Sequence, residues 1–306
     1  MNLDLMSENF RSGYCAIAGI PNAGKSTLLN ALLGTKLSII SAKPQTTRKR
    51  VLGIYSTKSE QIIFLDTPGI MPRPTTLHHK ALLSEVSRSF DDADVILVLV
   101  EATLSPERAL PKEWKKYVEI AGKKPIVLAV SKIDLFKDKK KVLPLLAEYG
   151  EMNIFSDIIP ISSKKQYNLK QLVEVLHKYL PSEKAFYDTE QLSDQNERFF
   201  ASELIREAIF HEFREEIPYS TEVVIMEYSE REEGKWFISA DILVERDSQK
   251  SILIGKGGET LKALGARARK SIEQFVEHPI YLELHVKAKS DWRNDKNVLR
   301  EMGYGV

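Results

Sequence analysis

The chain holds a single cysteine, Cys15, among 306 residues. That excludes an intrachain disulfide framework and any metal site built on several thiolates. Cys15 sits in an apolar run and reads as a core residue, and one cysteine fits a reducing cytoplasm. Long hydrophobic runs are missing too. The longest, Val95 to Val100, has the length of a strand and falls far short of the ~20 residues a membrane span needs. Residues 1–11 are mixed polar, without the basic-then-apolar order of a signal peptide. Neither sign of charge dominates: 44 Lys and Arg face 43 Asp and Glu, a net +1, so total charge announces no nucleic-acid partner. Repeats and low-complexity tracts are absent.

What is present is the composition of a soluble globular protein, 43% apolar and 28% charged. The length suits about two domains of ~100–200 residues. From Gly13 to about Leu180, strand-like runs alternate with helical spacing. The runs are Gly13–Ala18, Arg50–Tyr55, Gln61–Leu65, Val95–Val100, Pro125–Val130 and Ile158–Ile161, and Leu28–Leu33, Trp114–Ile120 and Leu169–Leu180 are among the helical segments. This predicts an α/β domain with a mainly parallel sheet over residues 1–180. Residues 181–193 are polar and read as a linker. Residues 194–306 read as an α+β domain in the order helix, strand, strand, short helix, helix, strand. Asp194, three residues before Glu197, looks like a capping box for the first helix.

Gly19-Ile20-Pro21-Asn22-Ala23-Gly24-Lys25-Ser26 fits G-x-x-x-x-G-K-[ST], after a predicted strand and opening a predicted helix. Its amides should converge on a phosphate chain at a helix N-terminus. Lys25 should bridge the β- and γ-phosphates, Ser26 should bind Mg²⁺, and Thr27 should reach the α-phosphate. Asp66-Thr67-Pro68-Gly69 follows roughly 40 residues later. There the carboxylate can hold the metal's water shell and the Gly69 N–H can sense the γ-phosphate. Between them, in Lys43–Arg48, one of Thr46 and Thr47 should close over Mg²⁺, with Thr47 favoured. Ser131-Lys132-Ile133-Asp134 offers a carboxylate to guanine N1–H and its 2-amino group, donors that adenine lacks, while the Lys132 stem can cover the base. Ser162-Ser163-Lys164 can supply a backbone N–H to guanine O6. The adjacent histidines His78 and His79 have no carboxylate or cysteine at metal-ligand spacing and read as surface residues.

In the second domain Gly255-Lys256-Gly257-Gly258 lies between Ile252–Ile254 and an amphipathic helix. Such a G-x-x-G loop clamps a nucleic-acid backbone in KH domains, with splayed bases in an apolar groove beside it. Ile254, the four loop residues, Lys262 and Arg269 are the candidate RNA contacts. From Arg246 to Lys270 seven basic residues face two acids, Asp247 and Glu259, a local charge of +5 in an otherwise acidic domain. Phe199, Phe200, Trp236 and Phe275 read as core rather than base-stacking platforms.

The stretches GIPNAGKSTLLNALLG, KPQTTRKR, DTPGI, SKID and ISSKK, with the later QLSDQNERFFASELIREAIF, the GKGG loop and Val286 to Lys296, make nearly the whole chain resemble the Era family of translation-factor-like GTPases. The resemblance implies a GTP-hydrolysing switch with a type II KH domain, dependent on Mg²⁺. It implies binding to the 3′ end of small-subunit ribosomal RNA, a role in assembling the small subunit, a cytoplasmic monomer and peripheral contact with the inner membrane. Two departures stand out. Ser131 replaces the usual Asn, which should weaken contact between the base loop and the P-loop. Ile70 stands where Ras-like proteins orient water with Gln. In related families an Asn at the place of Asn22 helps bind an activating K⁺, so Asn22, Lys25, Thr47 and Gly69 are the candidate catalytic residues. A related GTPase acting in tRNA modification or membrane transport lacks its cysteine-bearing segment or membrane span here. An RNA-binding scaffold with vestigial hydrolysis is the alternative that Ile70 and Ser131 keep open.

Overall fold

The computed structural model describes residues 10–39, 43, 46–71 and 74–305. Residues 1–9, on which most of the leader reading rests, and Pro44 and Gln45 lie outside them. Two compact units emerge: Met1–Ser38 with Thr47–Pro74 and Leu82–Asp194, and Ile39–Thr46 with Thr75–Ala81 and Gln195–Val306.

The apolar runs of the first unit become β1 (Arg11–Ala18), β2 (Val51–Ser56), β3 (Glu60–Asp66), β4 (Val95–Glu101), β5 (Ile126–Ser131) and β6 (Asp157–Pro160). They form one sheet in the order β2-β3-β1-β4-β5-β6, parallel except for the β2–β3 hairpin. Near-continuous apolar strands are what a parallel sheet covered on both faces requires. Alternate side chains divide between two cores. Cys15, Ile17, Phe64, Leu97 and Leu99 face α1 (Lys25–Leu33) and α6 (Leu169–His177). Ala16, Ile96, Val98, Leu128 and Val130 face α2 (Leu77–Asp92), α4 (Trp114–Ala121) and α5 (Leu143–Glu151). A short α3 (Pro106–Ala109) joins this second face. Helix α2 is not among the segments named from the sequence, although Leu82, Val86 and Phe90 recur every four residues and are all buried.

The 181–193 stretch runs along the first unit. The amide of Gln61, fully buried, donates to Tyr187 O and accepts from the Phe186 and Tyr187 N–H groups, while Ile54 N–H donates to Leu192 O. Backbone groups of the edge strand β2 thereby gain partners, which protects an edge from foreign pairing.

The second unit places α7 (Glu197–Glu212), α8 (Ile217–Ser220), α9 (Asp247–Ile254) and α10 (Glu259–Val276) with β7 (Glu222–Ser229), β8 (Trp236–Val244) and β9 (Ile280–Ala288), followed by α11 (Lys296–Glu301). The sheet order is β7-β8-β9, with β7 antiparallel and β9 parallel to β8. Ile238, Ala240, Ile242 and Val244 alternate into a core closed by Ile205 and Ile209 of α7, Leu253 of α9, and Leu264, Ala268 and Ile272 of α10. The N-cap of α7 is Asn196, whose side chain accepts from Phe199 N–H, not the expected Asp194. Phe200 is buried and packs on Phe275 and Phe199, as core aromatics do. Among the described residues no helix is long and apolar enough to cross a membrane.

Candidate nucleotide site and nucleic-acid groove

The motifs of the first unit meet because each follows a strand of one parallel sheet at its C-terminal end, where open α/β sheets bind ligands. β1 leads into the 19–26 loop, β3 ends at Asp66, β5 ends at Ser131, and Ser162 lies just beyond β6. Gly24 is the left-handed N-cap of α1, φ 102°, with no side-chain cap, so the first amides of the helix are left for a ligand. Lys25 is buried, its ammonium donating to Gly19 O at 3.2 Å and Ile20 O at 3.1 Å. Burial pushes its pKa down to about 8 against the opposing charge of Asp66.

Ser26 Oγ, Thr47 Oγ1 and Asp66 Oδ2 form a tight oxygen cluster. Ser26 Oγ lies 2.9 Å from each of the other two, and Thr47 Oγ1 is 3.5 Å from Asp66 Oδ2. Thr46 instead turns its carbonyl to the Arg206 guanidinium within the second unit, where the Lys43 ammonium also donates to the Phe210 and Phe213 carbonyls. Asp66 is fully buried and its Oδ1 has no hydrogen-bond partner. Burial raises its pKa, opposed by Lys25 and by the Ser26 and Thr47 hydroxyls. A buried carboxylate that wants a cation beside a buried ammonium that wants an anion fits a magnesium–phosphate ligand, and three oxygen donors suit a hard divalent cation.

Pro68 and Gly69 close this side. A Cβ on Gly69 would lie 2.7–2.9 Å from Pro21 atoms, so only glycine lets the 66–69 turn approach the loop this closely. Ile70 N–H donates to Gly19 O, and the Ile70 side chain is 2% exposed in the core, unable to orient water. Thr67 is fully buried with its hydroxyl on Ile17 O. Asn22 is exposed in a left-handed conformation, φ 66°.

A cavity of about 210 Å³ is lined by Ala23, Gly24, Thr27, Ser131, Lys132, Asp134, Leu135, Ser163 and Lys164. Asp134 Oδ1 accepts from Ser162 Oγ at 2.6 Å, which orients the carboxylate. Ser131 keeps one tie to the P-loop: its hydroxyl lies 2.8 Å from Ala23 O, with Val100 O at 3.0 Å as the competing acceptor. Contact with the loop is therefore kept, through one donor. Sequence reasoning missed Leu135, although it directly follows the motif, and Glu101, which pairs with Lys132 at 2.6 Å. Glu101 stands opposite Ser131 in the β4–β5 register, a proximity no linear spacing reveals.

His78 corrects one expectation. It is 2% exposed, in the first turn of α2, with its ring 4.7 Å from that of Tyr304 and 5.4 Å from that of Trp292 within the second unit. His79 is half-buried beside Thr75.

In the second unit, Gly255, Gly257 and Gly258 all have positive φ, at 73°, 61° and 80°. A Cβ on Gly255 would fall 2.0 Å from Thr260 Oγ1, so the turn from α9 into α10 needs glycine for space as well as conformation. Beside the loop lies a groove of about 510 Å³ between α10 and the edge strand β9. It brings together Gly258, Lys262 and Arg269 from the expected set, and adds Gly265, Ala266 and Tyr281, which sequence reasoning missed. Ile254, Gly255, Lys256 and Gly257 are not on this wall. The basic stretch is partly neutralised: Arg267 pairs with Glu212 at 2.6 Å, and Arg269 lies 4.0 Å from Glu273.

Two family models match: a 50S ribosome-binding GTPase over residues 14–132 and a KH domain over residues 216–293. The chain is 42% identical over 302 residues to the GTPase Era of Geobacter sp. (strain M21), covering 98% of this chain and 100% of the relative. It superposes with TM-score 0.91 and 39% identity on Aquifex aeolicus Era bound to GDP·AlF4⁻, covering 97% of this chain and 100% of that one. TM-score 0.91 and 40% identity, with the same coverage, relate it to Era in complex with MgGDPNP and nucleotides 1506–1542 of 16S ribosomal RNA. With a phosphate-loop motif, the Ser26–Thr47–Asp66 oxygen cluster, the cavity beside Asp134 and a KH domain on one chain, and a relative matched from end to end, the chain belongs to the Era family of GTPases.

Proposed function

We propose that this chain is a GTP-hydrolysing switch that binds the 3′ end of small-subunit ribosomal RNA through its KH groove and assists assembly of the small ribosomal subunit. The observation that carries the reading is the paired burial of Lys25 and Asp66, with Asp66 Oδ1 lacking a hydrogen-bond partner, beside the Ser26–Thr47 oxygens, together with a glycine loop and groove on the second unit. The relative's complex with a 16S fragment supports the choice of RNA.

Ser26, Thr47 and Asp66 would hold Mg²⁺, which when bound neutralises and orients phosphate oxygens. Lys25, held by the Gly19 and Ile20 carbonyls, would meet the β- and γ-phosphates, and the Gly69 N–H the γ-phosphate. Asp134, oriented by Ser162, takes the guanine N–H donors between the Lys132 stem and the Ser163–Lys164 backbone. Ile70 offers no hydrogen bond to water, so hydrolysis rests on positioning and charge stabilisation. Asn22 would help hold a K⁺, which when bound would supply the missing charge; equal turnover in Na⁺ and K⁺ would rule that out. GTP orders Lys43–Arg48 and Gly69–Lys80, the segments that carry Thr47 and Gly69. Coupling is reciprocal: if GTP alters RNA affinity, RNA alters GTP affinity. The domain limits 1–180, 181–193 and 194–306, cytoplasmic location and peripheral contact with the inner membrane belong to the same proposal and rest on the family resemblance.

The test is GTP turnover in K⁺ buffer with and without an oligonucleotide matching the 3′ end of small-subunit ribosomal RNA, beside Gly257→Asp. A Cβ at Gly257 meets nothing within 4 Å, and Asp tolerates left-handed backbone better than most residues, so the variant chiefly adds a negative charge to the loop. RNA should raise turnover, and the variant should lose the effect. RNA that binds without changing turnover would favour a scaffold with vestigial hydrolysis, the reading that buried Ile70 supports.

A further inference from the structure

Lys132 lines the base cavity, but a lysine stem is a poor wall while its ammonium roams in water, because its rotamer entropy opposes any one position. Here the ammonium is held. Its Nζ lies 2.6 Å from Glu101 Oε2, with the lysine side chain 35% and the glutamate 20% exposed. The other carboxylate oxygen of Glu101 accepts from the Thr103 hydroxyl. Burial alone would raise the Glu101 pKa, but the hydrogen bonds from Lys132 and Thr103 hold it below the usual carboxylate range, so it stays charged at neutral pH. Lys132 itself is left-handed, φ 60°, at the start of a tight turn through Leu135. Glu101 is not among the cavity-lining residues. Whatever it does for the base, it does through Lys132.

We infer that Glu101 is a positioning residue of the base site: by fixing the Lys132 ammonium it turns the lysine stem into a standing wall for guanine and lengthens the residence of bound nucleotide. The pair carries particular weight in this chain because of Ser131. An asparagine there would bring two N–H donors to the neighbouring loops, whereas the serine hydroxyl brings one proton to two acceptors, Ala23 O and Val100 O. Glu101, in register with Ser131, supplies a second tie from β4 to the base motif.

The inference rests on the guanine-nucleotide reading, and one experiment separates the two. Release of a fluorescent GDP is followed by stopped flow for the full chain, Glu101→Gln, Glu101→Asp, Lys132→Met and the Glu101→Gln/Lys132→Met double variant, with steady-state GTP turnover alongside. Glu101→Gln keeps shape and loses charge. It should release GDP about two- to fivefold faster, the range of a part-exposed ion pair. KM for GTP should rise by a similar factor, with kcat little changed, since the phosphate end is untouched. Glu101→Asp should recover part of the loss, and Glu101→Gln should add nothing once Lys132 is Met. Release at the parental rate, or an effect undiminished in the Lys132→Met background, overturns the inference while leaving guanine binding intact. Failure of the unaltered chain to bind the probe would sink the guanine reading itself.

Discussion

Two buried charges dominate the chemistry at the scale of single residues. The pKa of Lys25 is pushed down to about 8 by burial, against Asp66. Between about pH 8 and the ordinary lysine range, the unfolded chain therefore binds more protons than the folded one, and stability rises with pH across that window. A bound phosphate chain favours the ammonium and reverses the shift. Nucleotide binding should take up protons above about pH 8, with affinity for GDP falling as pH rises further. Titration calorimetry near pH 8.5, in two buffers of different ionisation enthalpy, should show this uptake, and Lys25→Met should abolish it. At the base end, Asp134 is a carboxylate presented by Ser162. Asp134→Asn replaces one acceptor oxygen with an N–H donor. The change should cost guanine affinity about 10²- to 10⁴-fold, from two charge-assisted hydrogen bonds at ~1.5–3 kcal/mol each. The variant should gain affinity for xanthine nucleotides, whose 2-oxo group accepts what the amide donates. Competition binding with GDP and XDP checks both directions.

Whole elements depend on their ends and their faces. Helix α7 carries an unusually full set of buried residues, including Arg206 at 0% exposure, forked onto Glu203. Its start is fixed by the Asn196 side chain. Asn196→Ala should destabilise the second unit by ~1 kcal/mol, the usual worth of an N-cap. Thermal unfolding should register this as a fall of a few degrees in Tm. The expected capping pair at Asp194 and Glu197 misplaced the cap by two residues because Asp and Asn both favour such sites, and only backbone geometry picks between them. Helix α2 escaped notice for a different reason. Its opening Leu-His-His-Lys turn reads as polar, yet His78 is buried against Trp292 and Tyr304, more than 200 residues further along the chain.

For the molecule as a whole, the 181–193 stretch is more than a spacer. The Gln61 side chain, with no exposure, holds the Phe186–Tyr187 backbone by three hydrogen bonds. Gln61→Leu removes all three partners and leaves backbone groups without them, a loss of ~1–3 kcal/mol concentrated in one local opening. Trypsin should then cut after the exposed Lys184 about tenfold faster under native conditions. Limited proteolysis with mass spectrometry reads this directly, and an unchanged cleavage rate would mean that the stretch is held by its other bonds, such as Ser193 to Leu52 O.

The sequence by itself determined the classes of structure and chemistry: a parallel α/β sheet from near-continuous apolar strands, a phosphate loop from glycines and lysine in register, a KH loop from G-x-x-G between helices. These are local patterns, and local sterics and periodicity decide them. Tertiary structure alone decided the pairings between distant segments. Strand register put Glu101 beside the base motif, the fold brought Thr47 rather than Thr46 to Ser26 and Asp66, and the α10–β9 seam made Gly265, Ala266 and Tyr281 a groove. Such contacts join residues tens to hundreds of positions apart, and their energy depends on burial and geometry that no spacing along the chain encodes.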